Sequence, residues 1–495
     1  MSARAELGRL EAGGLIEIAA LQPELEYLFR HALVQEAAYA TLLKRDRRTL
    51  HRAAADTILS LHPGREREMA GVVAMHLEQA GETTRAAEFL VLAGDHALER
   101  FANREAMSFF VRALSLLDPT LVEIRLRAAV GAAKAGWTMT ENNSNVDRLE
   151  AALQGEEQAD RALVTEAYFW LAYLRRLRGD VPESSPQLKY ALERAAQLGA
   201  ELGDPSAAAM PRALMGSYTA FMGNLRAGAE QMREALALLE NKGDPVSIAI
   251  VSDFLALAYA RMGDFKSAEE VVARAKAAAN AGDEISRIDL EIATSGIDLE
   301  RGEPEKAHAR AAECSARAEE LGAFACVVAS NLMIGASSLA RQDAAGAKPP
   351  LERGSELCRV TNIAPMRTLT HALLASTRAQ LGDLPAGVTG WDDALAGARS
   401  MRDRFGEAQT LWGRGRTRAR LADPDWPAAF ADLDRAVRLF EAMEARPSLA
   451  RALHDRAGAL RALGRAEKAD ADERRSDDLG RQLGLRDIPP GKVSS

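Results

Sequence analysis

Small and apolar positions return along this chain at a fixed offset from a turn, at intervals close to 40 residues. The turns fall at Gly223, Gly263, Gly302, Gln342, Gly382, Pro424 and Gly464, and an Ala or Gly follows each one five residues later. The steps are 40, 39, 40, 40, 42 and 40. A constant period of this size marks a solenoid, whose units bury their apolar faces against one another. The clearest unit, 253–278, reads DFLALAYARMGDFKSAEEVVARAKAA. It predicts two antiparallel helices joined at Gly263, with Leu255, Ala256 and Tyr259 on the first and Ala268 and Ala275 on the second. Ala256 and Ala268 mark the closest approach of the two helices, because a larger side chain there would force them apart. Gly263 lets the chain reverse, and Asp264 is placed to cap the second helix.

This unit resembles the tetratricopeptide repeat (TPR). Weaker copies carry Met232 and Ala235, Ala311 and Cys314, Trp391 and Ala394, then Leu433 and Ala436. Upstream, Gly179 and Asp180 lead to Leu188 and Ala191, and Gly81 and Glu82 lead to Ala86, Leu90 and Ala93. The period exceeds the 34 residues of a standard TPR, so longer helices or longer links are expected. The fold class predicted is all-α: a TPR-like superhelix of antiparallel helix pairs. Asp204 with Pro205, and Asp244 with Pro245, read as a cap followed by a helix start. Residues 138–146 (TMTENNSNV) are polar and read as a loop, and the tail after Gly484 lacks periodicity and reads as disordered.

Composition supports helices stacked through small side chains. Hydrophobic residues make up 47% of the 495 and aromatics only 5%, so Ala and Leu carry the burial, and both favour helix. The net charge of −8 is spread along the chain, which argues against a nucleic-acid-binding module. Cys314, Cys326 and Cys358 form no CxxC pair and no Cys/His cluster, so they read as small buried residues in a reducing cytosol. No signal-peptide core opens the sequence. Residues 322–340 form a 19-residue stretch without a charge, long enough to span a membrane. Its Ser330, Asn331, Ser337 and Ser338, and its register as the first helix of a repeat, make it a buried solenoid helix instead. No membrane partner is expected, and the location expected is cytoplasmic.

Residues 1–117 do not follow the ladder. Residues 7–18 read as a helix, a Gly-Gly turn and a short strand, and 23–59 as a strand entering two helices. The phrase Phe29-Arg30-His31-Ala32-Leu33, then Gln35-Glu36, Tyr39, Leu42-Leu43, Arg47-Arg48 and Leu50-His51, resembles the junction of bacterial STAND-type (AAA-like) ATPases. Such ATPases are often fused to class III adenylate or guanylate cyclase domains. In that family a P-loop NTPase leads into a winged helix, this junction, and then TPR-like repeats; 86–117 is similar to the first of those repeats. The resemblance implies a partial winged-helix and junction segment at 1–60, a repeat superhelix at 61–484 and a tail at 485–495. It also implies a C-terminal portion of a larger protein or a shortened reading frame, and a nucleotide-binding domain as a partner for the N-terminal segment.

Catalytic signatures are missing. There is no G-x-x-x-x-G-K-[ST] phosphate loop, no HExxH and no G-x-S-x-G. No catalytic, cofactor-binding or metal-binding residue is assigned, no cofactor is expected, and the chain is read as non-enzymatic. His31 and His51 belong to the junction, where a structural role is expected. Two basic runs, Lys44 to Arg52 and the alternating Arg414, Arg416, Arg418 and Arg420, lack interleaved aromatics and read as helix faces rather than nucleic-acid sites. The reading is a protein–protein interaction scaffold, the sensor or regulatory arm of a signalling ATPase or nucleotide cyclase. The alternative is the repeat region of a LuxR-type ATPase regulator of transcription without its DNA-binding domain. A protein or peptide ligand is expected in the concave groove. Asp253 and Arg261, eight residues apart and so on one face of the first helix of the clearest repeat, are the groove residues named.

Overall fold

The computed structural model describes residues 3–20, 26–139, 142–182, 184–203, 208–242, 245–279 and 283–487. These residues are helical throughout apart from connecting turns and one two-stranded hairpin near the N-terminus. They fall into two compact units.

The first unit comprises Met1–His96 with Ser108–Asp118. Helix Ala3–Ala12 turns at Gly13 and Gly14 into an antiparallel pair, Ile16–Ala20 against Glu26–Phe29, with Ile16 opposite Phe29. Helices Ala32–Thr41 and Lys44–Leu61 follow, as the junction reading expects. The unit runs past residue 60 because Lys44–Leu61 packs on Glu66–Ala80: Ala55, Val73, Leu77 and Ala86 form one buried cluster. Residues of the junction phrase meet here. The Tyr39 hydroxyl lies 2.9 Å from His51 Nε2, His51 Nδ1 lies 2.8 Å from His76 Nδ1, and the Arg47 guanidinium sits 5.0 Å from the Tyr39 ring centre. Burial, and then the neighbouring His51, hold the His76 pKa below its usual value.

The second unit, Ala97–Met107 with Pro119–Ser495, carries the ladder. From Ala209 onward its helices form seven pairs. The pair Glu284–Arg301 and Pro304–Leu321 shows where the long period comes from: two 18-residue helices separated by two-residue links. The extra residues of the repeat are spent on helix length. Ala256 and Ala268 are fully buried, and Asp264 caps Phe265–Ala278 by accepting from Ser267 N at 3.1 Å. Gly223, Gly263, Gly302, Gly382 and Gly464 all take positive φ, and Gln342 occupies the same left-handed conformation at φ 64° where its repeat lacks a glycine.

First helices of neighbouring pairs touch one another as well as their own partners, so they form the inner wall and the second helices lie outside. The coil also returns on itself. Ala325 N donates to Thr138 O at 3.0 Å, Ala364 N to Leu177 O at 2.7 Å and Arg486 N to Arg301 O at 3.1 Å. One apolar cluster joins residues 209–297 to residues 395–485. At Gly179, a Cβ would lie 2.6 Å from that of Ala364; at Gly263, 2.6 Å from Leu483. A side chain at either place would hold the turns apart.

Two expectations need correction. Residues 142–146 are not loop: helix Asn142–Ala152 begins there, with Val146 and Leu149 buried and Asn145 donating to Ala132 O at 3.2 Å. The polar run supplies its first turn, where Asn and Ser satisfy backbone donors well. The start of the tail is packed: Leu485 is buried and Asp487 pairs with Arg451 at 2.6 Å. Residues 488–495, Asp204 with Pro205, and Asp244 lie outside the described residues. The three cysteines are free and buried, and Phe324–Ala340 is a first helix of its pair with Ser330, Ser337 and Ser338 buried. Among the described residues one helix, Pro245–Met262, is long and apolar enough to cross a membrane; it packs between first helices Ala209–Phe221 and Glu284–Arg301.

Close packing of paired helices should be measurable. A Cβ on Gly228 would lie 2.5 Å from Gly216 O and 2.6 Å from Ala220 N, whereas one on Gly458 meets nothing within 4 Å. Gly228→Ala is expected to cost about 1–3 kcal/mol by overpacking. Gly458→Ala should stabilise by about 0.5–1 kcal/mol through helix propensity. Thermal denaturation of both variants checks this, and two changes of the same sign would contradict the helix-crossing assignment.

Candidate functional site

The inner wall of the second unit gathers charge that the ladder alone would not require. Asp253 and Arg261, on Pro245–Met262, are each half-buried and enclosed by other first helices. The Arg261 guanidinium lies 4.0 Å over the Phe405 ring, so this cation is held by a helix from a later turn of the coil. Burial pushes its pKa down, against Glu300, Asp403 and Asp253. Arg176 lies over Phe254 at 4.7 Å and Tyr218 at 5.6 Å. Arg451 is shared by the Asp487 carboxylate at 2.6 Å and Glu300, whose backbone oxygen it meets at 2.8 Å. Asp403 caps its own helix by accepting from Gly406 N at 2.7 Å, and burial pushes its carboxyl up to about 6.

The acids are the less satisfied partners. No hydrogen bond or ion pair is recorded for the Asp253 carboxylate among the described residues, and enclosure pushes its pKa up to about 7 against the pull of Arg261 and Arg176. Asp289, on the next first helix, is raised well above the usual carboxylate range, by burial first and then by Asp253 and Asp283. These acids reach toward an aromatic cluster. Tyr173 makes an edge-on contact with Trp137 at 5.9 Å and with Trp170 at 5.7 Å, and it stacks on Phe169 at 6.0 Å. Burial raises the Tyr173 pKa, and Asp289 adds to it, which keeps the phenol protonated.

Beyond this cluster opens a cavity of about 850 Å³, walled by Trp137, Phe169, Trp170, Met210, Pro211 and Ile285. Its charged residues include Asp283, Glu99 and the ion pair of Lys134 with Glu166. Such a volume, largely apolar with a few polar groups, is the usual form of a binding pocket. No group of three or more His, Cys, Asp or Glu that could hold a metal occurs among the described residues.

The sequence reading named Asp253 and Arg261, and the structure places both on the inner wall. It missed Asp283, Asp289 and the aromatic cluster. The signal for the cluster was present: residues 167–174 read AYFWLAYL, four aromatics in eight positions of an aromatic-poor chain. The basic runs are helix faces, as expected. Arg414 and Arg418 both bond Asp432 at 2.7 Å, while Arg416 faces Asp455 from the other side of the helix. Arg52 pairs with Glu82.

No known family profile matches the chain. It is 35% identical over 95 residues to an uncharacterized protein of Rhizobium meliloti (strain 1021), a stretch that is 18% of this chain and 9% of that relative. Among solved structures, it is similar in fold to a Rap protein complexed with Competence and Sporulation Factor. The identity is 14%, with 74% of this chain and 99% of that one covered at a TM-score of 0.55. A looser likeness, TM-score 0.47 at 12% identity over 92% of both chains, is to Cut9 in the APC/C hetero-tetramer with Hcn1. The second unit is a TPR-like helical repeat.

The Asp253 pKa carries a stability prediction. Its folded value, about 7, lies above the reference 3.8, so the folded state binds the proton more tightly. The stability this group gives is therefore complete below the unfolded value and lost as pH rises through about 7. Asp253→Asn should stabilise the protein above pH 7 by about 1–2 kcal/mol, allowing for partial solvent screening. The gain should shrink as pH falls toward 4. Calorimetry across that range reads it out, and a loss of stability at pH 8 would show that Asp253 is ion-paired.

Proposed function

We propose that this chain is a non-enzymatic, protein-binding regulatory arm of a bacterial STAND-type signalling ATPase, of the kind fused to class III nucleotide cyclases. The second unit takes a peptide or protein segment inside its coil. The observation that carries this is the cavity on the inner wall: a largely apolar chamber with aromatic walls and one under-satisfied acid, Asp283, formed mainly by successive first helices. The Rap structure of similar fold was determined with Competence and Sporulation Factor bound, which makes a segment held inside a TPR-like coil a consistent expectation.

Support for the ATPase context comes from the first unit. Most of the exposed large apolar side chains among the described residues fall between residues 10 and 75, among them Leu28, Leu33, Leu43, Leu50 and Leu61. Leu33 is 78% exposed, Leu61 68% and Leu43 67%. Apolar exposure of this density marks an interaction face, and it coincides with the junction phrase. A nucleotide-binding domain is the partner that the resemblance assigns to it. The Rhizobium relative is about twice the length of this chain, which leaves room for such domains there. The proposed location is the cytoplasm.

Reconstitution tests the reading. The purified chain should neither bind nor hydrolyse ATP, since no phosphate loop occurs in it. A nucleotide-binding domain encoded beside it should turn over ATP several-fold more slowly when the chain is added. Leu33→Glu with Leu43→Glu should abolish that restraint and leave the helical circular dichroism unchanged. A neighbouring genome segment without a P-loop domain, or turnover indifferent to the chain, would make the ATPase assignment wrong.

A further inference from the structure

One polar atom of a residue lining the cavity lacks a hydrogen-bond partner among the described residues. Asp283 is 3% exposed, and its Oδ1 caps helix Glu284–Arg301 by accepting from Ser286 N at 3.1 Å. Its Oδ2 is buried without a hydrogen-bond partner among the described residues, and Asp283 lines the chamber. A buried carboxylate oxygen left without a donor is costly, and such a group in a native structure calls for a partner to explain it. Asp289 stands in the same region and is held toward its protonated form, by burial first and then by Asp253 and Asp283.

The cations facing this region are already occupied. Lys134 pairs with Glu166, Arg176 lies on Phe254, and Arg261 lies on Phe405 among Glu300 and Asp403. The chamber therefore offers the Asp283 carboxylate beside Trp137, Phe169 and Trp170. Aromatic faces attract cations, and the same rings take apolar side chains.

We propose that this chamber receives an extended segment of a partner protein in which a Lys or Arg is flanked by apolar side chains. The cationic group points toward Asp283, and its neighbours pack on Trp137, Phe169 and Trp170. This deepens the peptide-binding reading above and rests on it. Charge complementarity selects the occupant: an acidic segment would meet the Asp283 carboxylate, with the one cation that lines the chamber among the described residues, Lys134, already paired with Glu166, and an apolar one would leave Oδ2 unpaired.

The experiment uses the full chain and fluorescence polarisation with three labelled, acetylated octapeptides, alternating Lys with Leu, Glu with Leu, and Lys with Ser. The Lys–Leu peptide should bind at least about tenfold more tightly than the other two. Asp283→Asn keeps the helix cap, since Asn caps as well as Asp, and it should weaken Lys–Leu binding by about tenfold or more. Glu356→Gln, an exposed change of the same net charge, should alter binding by less than about twofold. Thermal midpoints confirm that each variant is folded. Equal binding of the Lys–Leu and Glu–Leu peptides, or indifference to Asp283→Asn, overturns the cationic assignment and leaves the coil a peptide site. Binding of none of the three by the folded chain overturns this proposal and counts against the peptide-binding reading as well.

Discussion

Return of the coil onto itself is the constraint on which the second unit depends. A repeat whose units touched only their neighbours would leave the inner wall open to water. Here the backbone of Ala364 bonds that of Leu177, Ala325 bonds Thr138, and one apolar cluster runs from the 209–297 segment into the 395–485 segment. The contacts are close because glycines with positive φ end the first helices, at Gly179 and Gly263 among others. Successive turns can then stack with backbone almost touching backbone. Stability in such a coil is no longer a sum of neighbour terms alone; it gains long-range terms between residues some two hundred positions apart.

Enclosure also gives the inner wall its electrostatic character. Charges on an open concave face would be solvated and nearly at their ordinary pKa values. Facing one another across a narrow interior, the same residues lose water, and their protonated forms are favoured for acids and disfavoured for bases. Asp253, Asp289 and Glu300 are raised, and Arg261 is lowered, each with burial as the leading cause. Arg451 goes the other way because two carboxylates, Asp487 and Glu300, outweigh its desolvation. The difference between Arg451 and Asp253 is one of partners among the described residues.

How far the sequence could be read follows from what is local. The helix pairs, their turns and the buried Ala256 and Ala268 are set by spacing and side-chain size within one repeat, and the expected fold class holds. The helix at 142–152 was hidden because its first turn is built of Asn and Ser, residues that serve loops and helix starts alike. Asp487 read as tail because its reason for being ordered, Arg451, lies 36 residues away on another helix. The site was legible in part. Asp253 and Arg261 follow from repeat register, but Phe405 beneath Arg261 is 144 positions further on, and no periodic signal connects them. Asp283 is a helix cap through Oδ1, and only three-dimensional packing shows that Oδ2 has no partner among the described residues.

The occupant proposed for the chamber would also bear on the spacing of the coil. Its walls come from helices beginning near residues 161, 209, 245 and 284, so a bound segment touches several first helices at once. Each of those helices ends in a link that abuts a later turn: Gly179 meets Ala364, Gly223 meets Arg404, and Gly263 meets Leu483, while Gly302 meets Asp487. A ligand that draws the first helices together changes the spacing of precisely placed, nearly incompressible contacts. Small shifts at the chamber must then be passed on to the opposite ends of those helices, or resisted there. Rigid helices of 13 to 18 residues, anchored by their neighbours at one end and by the next turn at the other, are suited to carry such a displacement rather than absorb it.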